Sequence, residues 1–187
     1  MKKLFIIAGA CLFFFNAANA QVMGIKGGLN FANISDYGGD SRLSANVGLY
    51  FHTKINNTWA IQPEILYSGE GYKYTTITGN QMVLALNYIQ VPVMFQVSPV
   101  KEFYFEFGPQ VGFLTSANIK DNNGNKTDQM GGYNKVNFSL NAGVGIHATR
   151  ELGFFARYSF GMSDITMNDN RSYYSNVGQL GMTIRLN

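Results

Sequence analysis

From Val22 onward the chain alternates, residue by residue, between an apolar set and a small or polar set, the period of a strand whose two faces meet different surroundings. In "VMGIKGGLNFANI" one face carries Met23, Ile25, Gly27, Leu29 and Phe31, and the other Val22, Gly24, Lys26, Gly28 and Asn30. The same alternation recurs in "LSANVGLYFHTKI", from Trp59 to Ser68, from Tyr88 to Val97, in "FYFEFGPQVGF" (103–113), from Val136 to His147, from Phe154 to Met162 and from Gln179 to Leu186. It predicts eight strands of about 10 to 13 residues, with a turn at Gly79-Asn80 before the fourth. No amphipathic helical stripe of useful length accompanies them.

Soluble strands usually run to about 5 or 6 residues, whereas tilted membrane strands need about 9 to 11. The second face is also unusual, being Gly, Ser, Asn and Gln with few charges, where a soluble sandwich would show abundant Lys and Glu. Such residues suit a narrow, crowded interior. The connections "NNT", "SPVKE" and "TRE" are short, those around Ser35 to Arg42, Ser116 to Asn134 and Ser163 to Tyr174 are long and polar, and a hairpin extension spans Gly71 to Met82. Short and long alternate strictly, as in outer-membrane barrels with periplasmic turns and extracellular loops. The predicted fold is therefore all-β: an eight-stranded antiparallel up-and-down transmembrane β-barrel, with both chain ends on the periplasmic side. A soluble β-sandwich is the competing architecture.

In a barrel, aromatic residues near the strand ends form two interfacial girdles. Phe51, Trp59, Phe95, Phe103 and Phe154 fall toward the short turns, and Phe31, Tyr67, Phe113, Phe138 and Phe160 toward the loops.

The first twenty residues fix the compartment. Lys2 and Lys3, the apolar run Leu4 to Phe15 and the small residues Ala18 and Ala20 before Gln21 form a secretory signal peptide, leaving a single barrel domain over 21–187. An uncleaved anchor is disfavoured because about 12 apolar residues fall short of the roughly 20 a spanning helix needs. Lipoprotein processing at Cys11 is the other alternative. Cleavage after Ala20 removes the one cysteine and, with Lys2 and Lys3, lowers the formal net charge from +3 to +1. Neither thiol chemistry nor nucleic-acid binding is then indicated. Charged residues make up only 13% of the chain, against about 25% in a soluble domain, which agrees with a surface facing lipid.

An eight-stranded barrel has a bore that side chains fill. Counted from the short-turn end, Lys26, Glu64, Glu106, Arg157 and Arg185 all face inward at similar depth, and His52 and His147 lie nearer the end. Buried charges must pair, because an unpaired one costs several kcal/mol. Arg157 and Arg185, on neighbouring strands, are each suited to bidentate bonds with Glu64 and Glu106. An internal ion-pair network that plugs the lower barrel is one reading; a gate or a site for an anionic ligand is the other.

Little else carries chemistry. The histidines lie at the short-turn end on different strands, and no Cys, His-x-Glu or paired-Asp motif sits in the loops, so no enzyme activity, catalytic residue, metal site or cofactor is expected. "DNNGNK" resembles part of a calcium loop but lacks the following bidentate acid, and Asp36, Asp40, Asp121, Asp128, Asp164 and Asp169 read as solvated loop carboxylates, with a weak cation site among them left open. "ANIKDNNGNKTDQMGGYNKV" shows no apolar anchor and reads as a mobile surface loop. Tyr72, Tyr74, Tyr173 and Tyr174 read either as an adhesive cluster above the membrane or as headgroup tyrosines.

The segments "GIKGGLNFANIS", "IQPEILYSGEGY", "NYIQVPVMFQV", "FYFEFGPQVGFL", "NAGVGIHA", "FFARYSFGMSDI" and the closing "LGMTIRLN" resemble the PorT-like outer-membrane β-barrel family of Bacteroidota, over nearly the whole mature chain. The resemblance implies a small barrel of the "porin family" in the outer membrane, contacting lipid and lipopolysaccharide, and it admits an accessory role beside a secretion complex. Many outer-membrane barrels end in an aromatic residue that the barrel assembly machinery recognises, whereas this chain ends Arg185-Leu186-Asn187. The expected function is that of a monomeric barrel with a filled interior and a structural, adhesive or accessory role at the cell surface. A binding or transport barrel for a small apolar or anionic ligand is the alternative.

Overall fold

The computed structural model describes residues 21–35, 40–76, 79–121, 125–166 and 173–186. The signal peptide expected over residues 1–20 lies outside them, as do Asp36 and Asp169. Among the described residues nine strands follow one another: β1 (Gln21–Ile34), β2 (Asp40–Lys54), β3 (Trp59–Thr75), β4 (Gln81–Val100), β5 (Phe103–Lys120), β6 (Lys126–Asp128), β7 (Val136–His147), β8 (Leu152–Gly161) and β9 (Ser175–Arg185). All pair antiparallel. Eight of them close a ring in the order β1-β2-β3-β4-β5-β7-β8-β9, sealed where β1 pairs with β9, while the short β6 lies against the upper end of β5.

Residues assigned to the apolar face point out of the ring: Leu29 on β1 and Leu180 on β9, directly paired, are 50% and 53% exposed, and Ile65, Phe107, Leu140 and Phe160 continue the belt. An exposed Leu, Ile or Phe forgoes about 1.5 to 3 kcal/mol of burial. A band of them around a closed wall is stable only against lipid. The opposite face is buried along the middle of the wall, from Lys26 and Asn30 to Glu106, Asn141 and Arg157, and only partly buried toward the strand ends, and closure leaves no open edge in the wall.

The interior makes room for rings by placing glycine opposite them. The Tyr50 ring lies across Gly24 and the Tyr104 ring across Gly145, each its register partner on the adjacent strand. A Cβ on Gly145 would stand 2.1 Å from Tyr104 Cζ, and one on Gly24 2.3 Å from Tyr50 Cζ and 2.4 Å from the Ile184 carbonyl oxygen, so a side chain at either position would displace the facing ring.

Three strands run further than the alternation predicts. β3, β4 and β5 rise above the rest of the wall, their ladders continuing to Thr75↔Gln81 and Val83↔Lys120. Much of the expected loop from Ser116 is therefore strand, and the first long connection is shortened because β2 begins at Asp40. A bulge hides the extension: Asn87 pairs with Ser116 and Tyr88 with Leu114, leaving Thr115 extra, so the inward phase moves from Leu114 to Ala117. Strict period two fails at that residue, where the sequence signal ends.

Above the bulge the bore is mostly apolar, with Glu70, at the level of Leu86, its buried carboxylate. Ile34, Tyr72, Leu84, Leu86, Tyr88, Leu114, Ala117, Ile165 and Tyr173 form one buried cluster, with Met130 and Tyr133 packed against it. The β5–β7 segment thus has the apolar anchors that its sequence seemed to lack. Tyr72 and Tyr173 are buried and available for no adhesive cluster. Nor is Asp164 simply solvated: its Oδ1 accepts from Thr166 N, Thr166 Oγ1 and Tyr173 N, and Asn134 Nδ2 donates to the carbonyls of Asp164 and Thr166, tying the two longest connections together.

Candidate functional site: a filled bore

β1, β3, β5 and β8 are every second strand around the ring, and each sends one charged side chain to the same depth. These are Lys26, Glu64, Glu106 and Arg157, all with fully buried side chains. Alternate strands filling a layer of four is the packing expected of a bore this narrow.

Arg157 crosses the bore to β3, donating from Nη1 to Glu64 Oε2 and from Nη2 to Glu64 Oε1, both at 2.8 Å. Its Nε donates to Glu106 Oε1 at 2.7 Å. Lys26 Nζ donates to Glu64 Oε1 at 3.1 Å, lies 3.9 Å from Glu106 Oε1, and sits 3.9 Å from the centre of the Phe155 ring. Gln62 Nε2 donates to Glu64 and Gln96 Nε2 to Glu106, filling remaining lone pairs. Two cations and two anions form a neutral layer in which each cation faces both anions. This is the geometry that offsets the desolvation of buried charge.

Arg185, grouped with these residues on sequence grounds, stands elsewhere. It lies at the end of β9 opposite Gly24, half-buried, with its guanidinium against the Tyr50 hydroxyl. Two residues of strand below the layer put it at the short-turn mouth. All ten expected girdle aromatics point outward, with Phe51, Phe95 and Phe103 half-buried and the rest exposed. Tyr67 and Phe113 lie well short of their strand ends, because β3 and β5 continue to Thr75 and Lys120.

Above the charged layer the bore is filled by amides and hydroxyls. Asn141 Nδ2 donates to Gln110 Oε1, Gln110 Nε2 to Ser139 Oγ, and Asn30 Nδ2 to both Ser68 Oγ and the Gly69 carbonyl. Higher still, Glu70 accepts from Gln90 and Ser175. Sequence reasoning missed this carboxylate, although it continues the inward phase of Glu64, Leu66 and Ser68. Among the described residues no group of three or more His, Cys, Asp or Glu is placed to hold a metal ion.

A closed antiparallel ring, apolar outside and plugged by a neutral charged layer inside, defines a membrane-spanning β-barrel. The sequence matches the family described as "Outer membrane protein beta-barrel domain" over residues 17–167, and the chain belongs to that family. It is a small outer-membrane β-barrel protein, and its last wall strand, β9, lies beyond the matched segment. Among solved structures it is similar to Neisserial surface protein A (TM-score 0.60, 11% identity, covering 89% of this chain and 97% of that one). It is likewise similar to Ail, the attachment invasion locus protein of Yersinia pestis (TM-score 0.53, 14% identity, 89% and 97%), and to Ail in complex with the heparin analogue sucrose octasulfate (TM-score 0.51, 12% identity, 89% and 97%). At such identities the likeness is one of fold. The comparison with curated proteins gives no match.

Proposed function

We propose that this protein is a sealed, monomeric barrel that conducts no solute and holds an ordered platform of extended strands and loops at the cell surface, in a structural or adhesive role. The observation that carries this reading is the Lys26–Glu64–Glu106–Arg157 layer, which spans the bore with no exposed side chain. The apolar cluster around Ile165 closes the long-loop end a second time. Adhesion stands beside a purely structural role because a barrel of similar fold is an attachment protein.

In this reading the short turns and both chain ends face the periplasm, the ten outward aromatics lie at the two lipid headgroup levels, lipopolysaccharide surrounds the loop side, and the barrel assembly machinery inserts the chain. Residues 1–20 are the cleaved leader and 21–187 the barrel domain. The kinship with PorT-like barrels of Bacteroidota, and with it an accessory place beside a secretion complex, rests on the sequence motifs quoted above.

Single-channel recording in planar bilayers tests the seal. Silence is expected from the wild type and from Glu106→Gln. Stepwise conductance of the wild type would overturn the reading, and conductance of Glu106→Gln alone would make the layer a gate. Shortening the segment between β5 and β7 in cells, followed by surface crosslinking, tests the platform: an unchanged crosslinking pattern removes that segment from the role.

A further inference from the structure

The short-turn mouth is built unlike the rest of the barrel. There the β2–β3, β4–β5 and β7–β8 turns surround a cavity of about 950 Å³ whose lining includes Lys54, Lys101, Arg150 and Arg185 but only one carboxylate, Glu102. His52 and His147 also line it. Among the described residues none of these four cations stands in an ion pair; all four ion pairs belong to the buried layer above. That layer is neutral and cannot cancel the charge at the mouth.

We propose that this basic bowl binds a small, multiply charged, phosphate-bearing anion. Four cations converge on one concavity from separate turns and strands, at the end of a bore with low-dielectric walls, an arrangement that concentrates positive potential. Like charges so placed repel one another, and a dianion that several of them reach at once relieves the repulsion. Lys54, Lys101 and Arg150 are exposed at the rim, whereas Arg185 is held against Tyr50. The three rim cations supply mobile donors and Arg185 a fixed, planar one suited to phosphate oxygens. Glu102 in the lining and Glu151, exposed beside Arg150 on the β7–β8 turn, set the limit on how much negative charge the rim accepts. The site is separate from the seal and from the loop platform, so its failure leaves both standing. The anion can come from a free solute or from the headgroup of an anionic phospholipid in the adjoining leaflet.

The chain contains two histidines, both in this cavity, so the imidazole spectrum of the untagged protein reports on the site alone. In nanodiscs of zwitterionic lipid, titration with inorganic pyrophosphate is expected to shift the His52 and His147 resonances saturably. The double variant Lys54→Gln/Arg150→Gln should weaken that affinity about tenfold. Lys73→Gln/Lys126→Gln, at the opposite end, should leave it unchanged. Both pairs are exposed, and an unchanged heat-dependent gel shift verifies that the barrel has folded. In nanodiscs containing phosphatidylglycerol, imidazole shifts present before pyrophosphate is added and insensitive to it assign the site to a lipid headgroup; an undiminished pyrophosphate titration assigns it to a free anion. Resonances unmoved by millimolar pyrophosphate and by lipid charge overturn the proposal, as does equal affinity in the wild type and Lys54→Gln/Arg150→Gln.

Discussion

Arg157 and Glu64, 93 residues apart in the chain, face each other from diametrically opposite strands and close a bidentate pair through the middle of the bore. Removing one partner leaves the other's charge buried and uncompensated. Arg157→Met is therefore expected to destabilise the barrel by about 3 to 5 kcal/mol. The fourfold replacement Lys26→Met/Glu64→Gln/Glu106→Gln/Arg157→Met should recover most of that, because no buried net charge remains. Urea unfolding in lipid vesicles, followed by the fluorescence of Trp59, the only tryptophan, measures both. A fourfold variant no more stable than the single one would show that packing, rather than charge balance, governs the layer.

Tyr104 lies flat on Gly145, and that contact sets how the interior face is filled. Gly145→Ala should cost about 1 to 3 kcal/mol, the usual range for overpacking a tight interior. Tyr104→Leu in the same chain should relieve part of the cost. Additive losses from the two changes in the unfolding assay would count against the contact.

Ile165, 1% exposed, anchors the described part of the β8–β9 segment in the apolar cluster. Ile165→Ala should release that segment and, through the bonds around Asp164 and Asn134, loosen the β5–β7 segment as well. Faster limited proteolysis in both segments is expected, with the heat-dependent gel shift of the barrel intact. Cleavage accelerated in only one of them would mean that the two are not coupled.

Leu29 sits in the middle of β1 on the outward face. Arginine there would have to enter the hydrocarbon, which costs about 2 to 4 kcal/mol near the midplane of a membrane barrel. Leu29→Arg should fold less completely into vesicles than Leu29→Phe. Equal folded fractions would remove β1 from contact with lipid.

Much of this architecture is legible in the chain because a strand's period of two assigns every residue to a face. Glu106 lies inward between outward Phe105 and Phe107 by alternation alone, and the same rule places Lys26, Glu64 and Arg157. The rule carries no information about height. Arg157 and Arg185 share a face on neighbouring strands, yet only Arg157 meets the carboxylates, because the stagger between strands sets depth and builds up around the ring. The apolar cap was hidden for a related reason. The bulge at Thr115 changes the phase of β5, and Ile165 and Tyr173 reach the cluster from segments that have no period at all.

The sequence by itself determined the eight wall strands, the lipid-facing and inward sets, and the alternation of short and long connections, since each depends on local pattern. Only the tertiary structure decided which charges meet, that the bore closes again above them with apolar side chains, and that four cations, none of them in an ion pair among the described residues, gather at one mouth. Those outcomes depend on register and ring closure, which bring together residues that no local spacing relates.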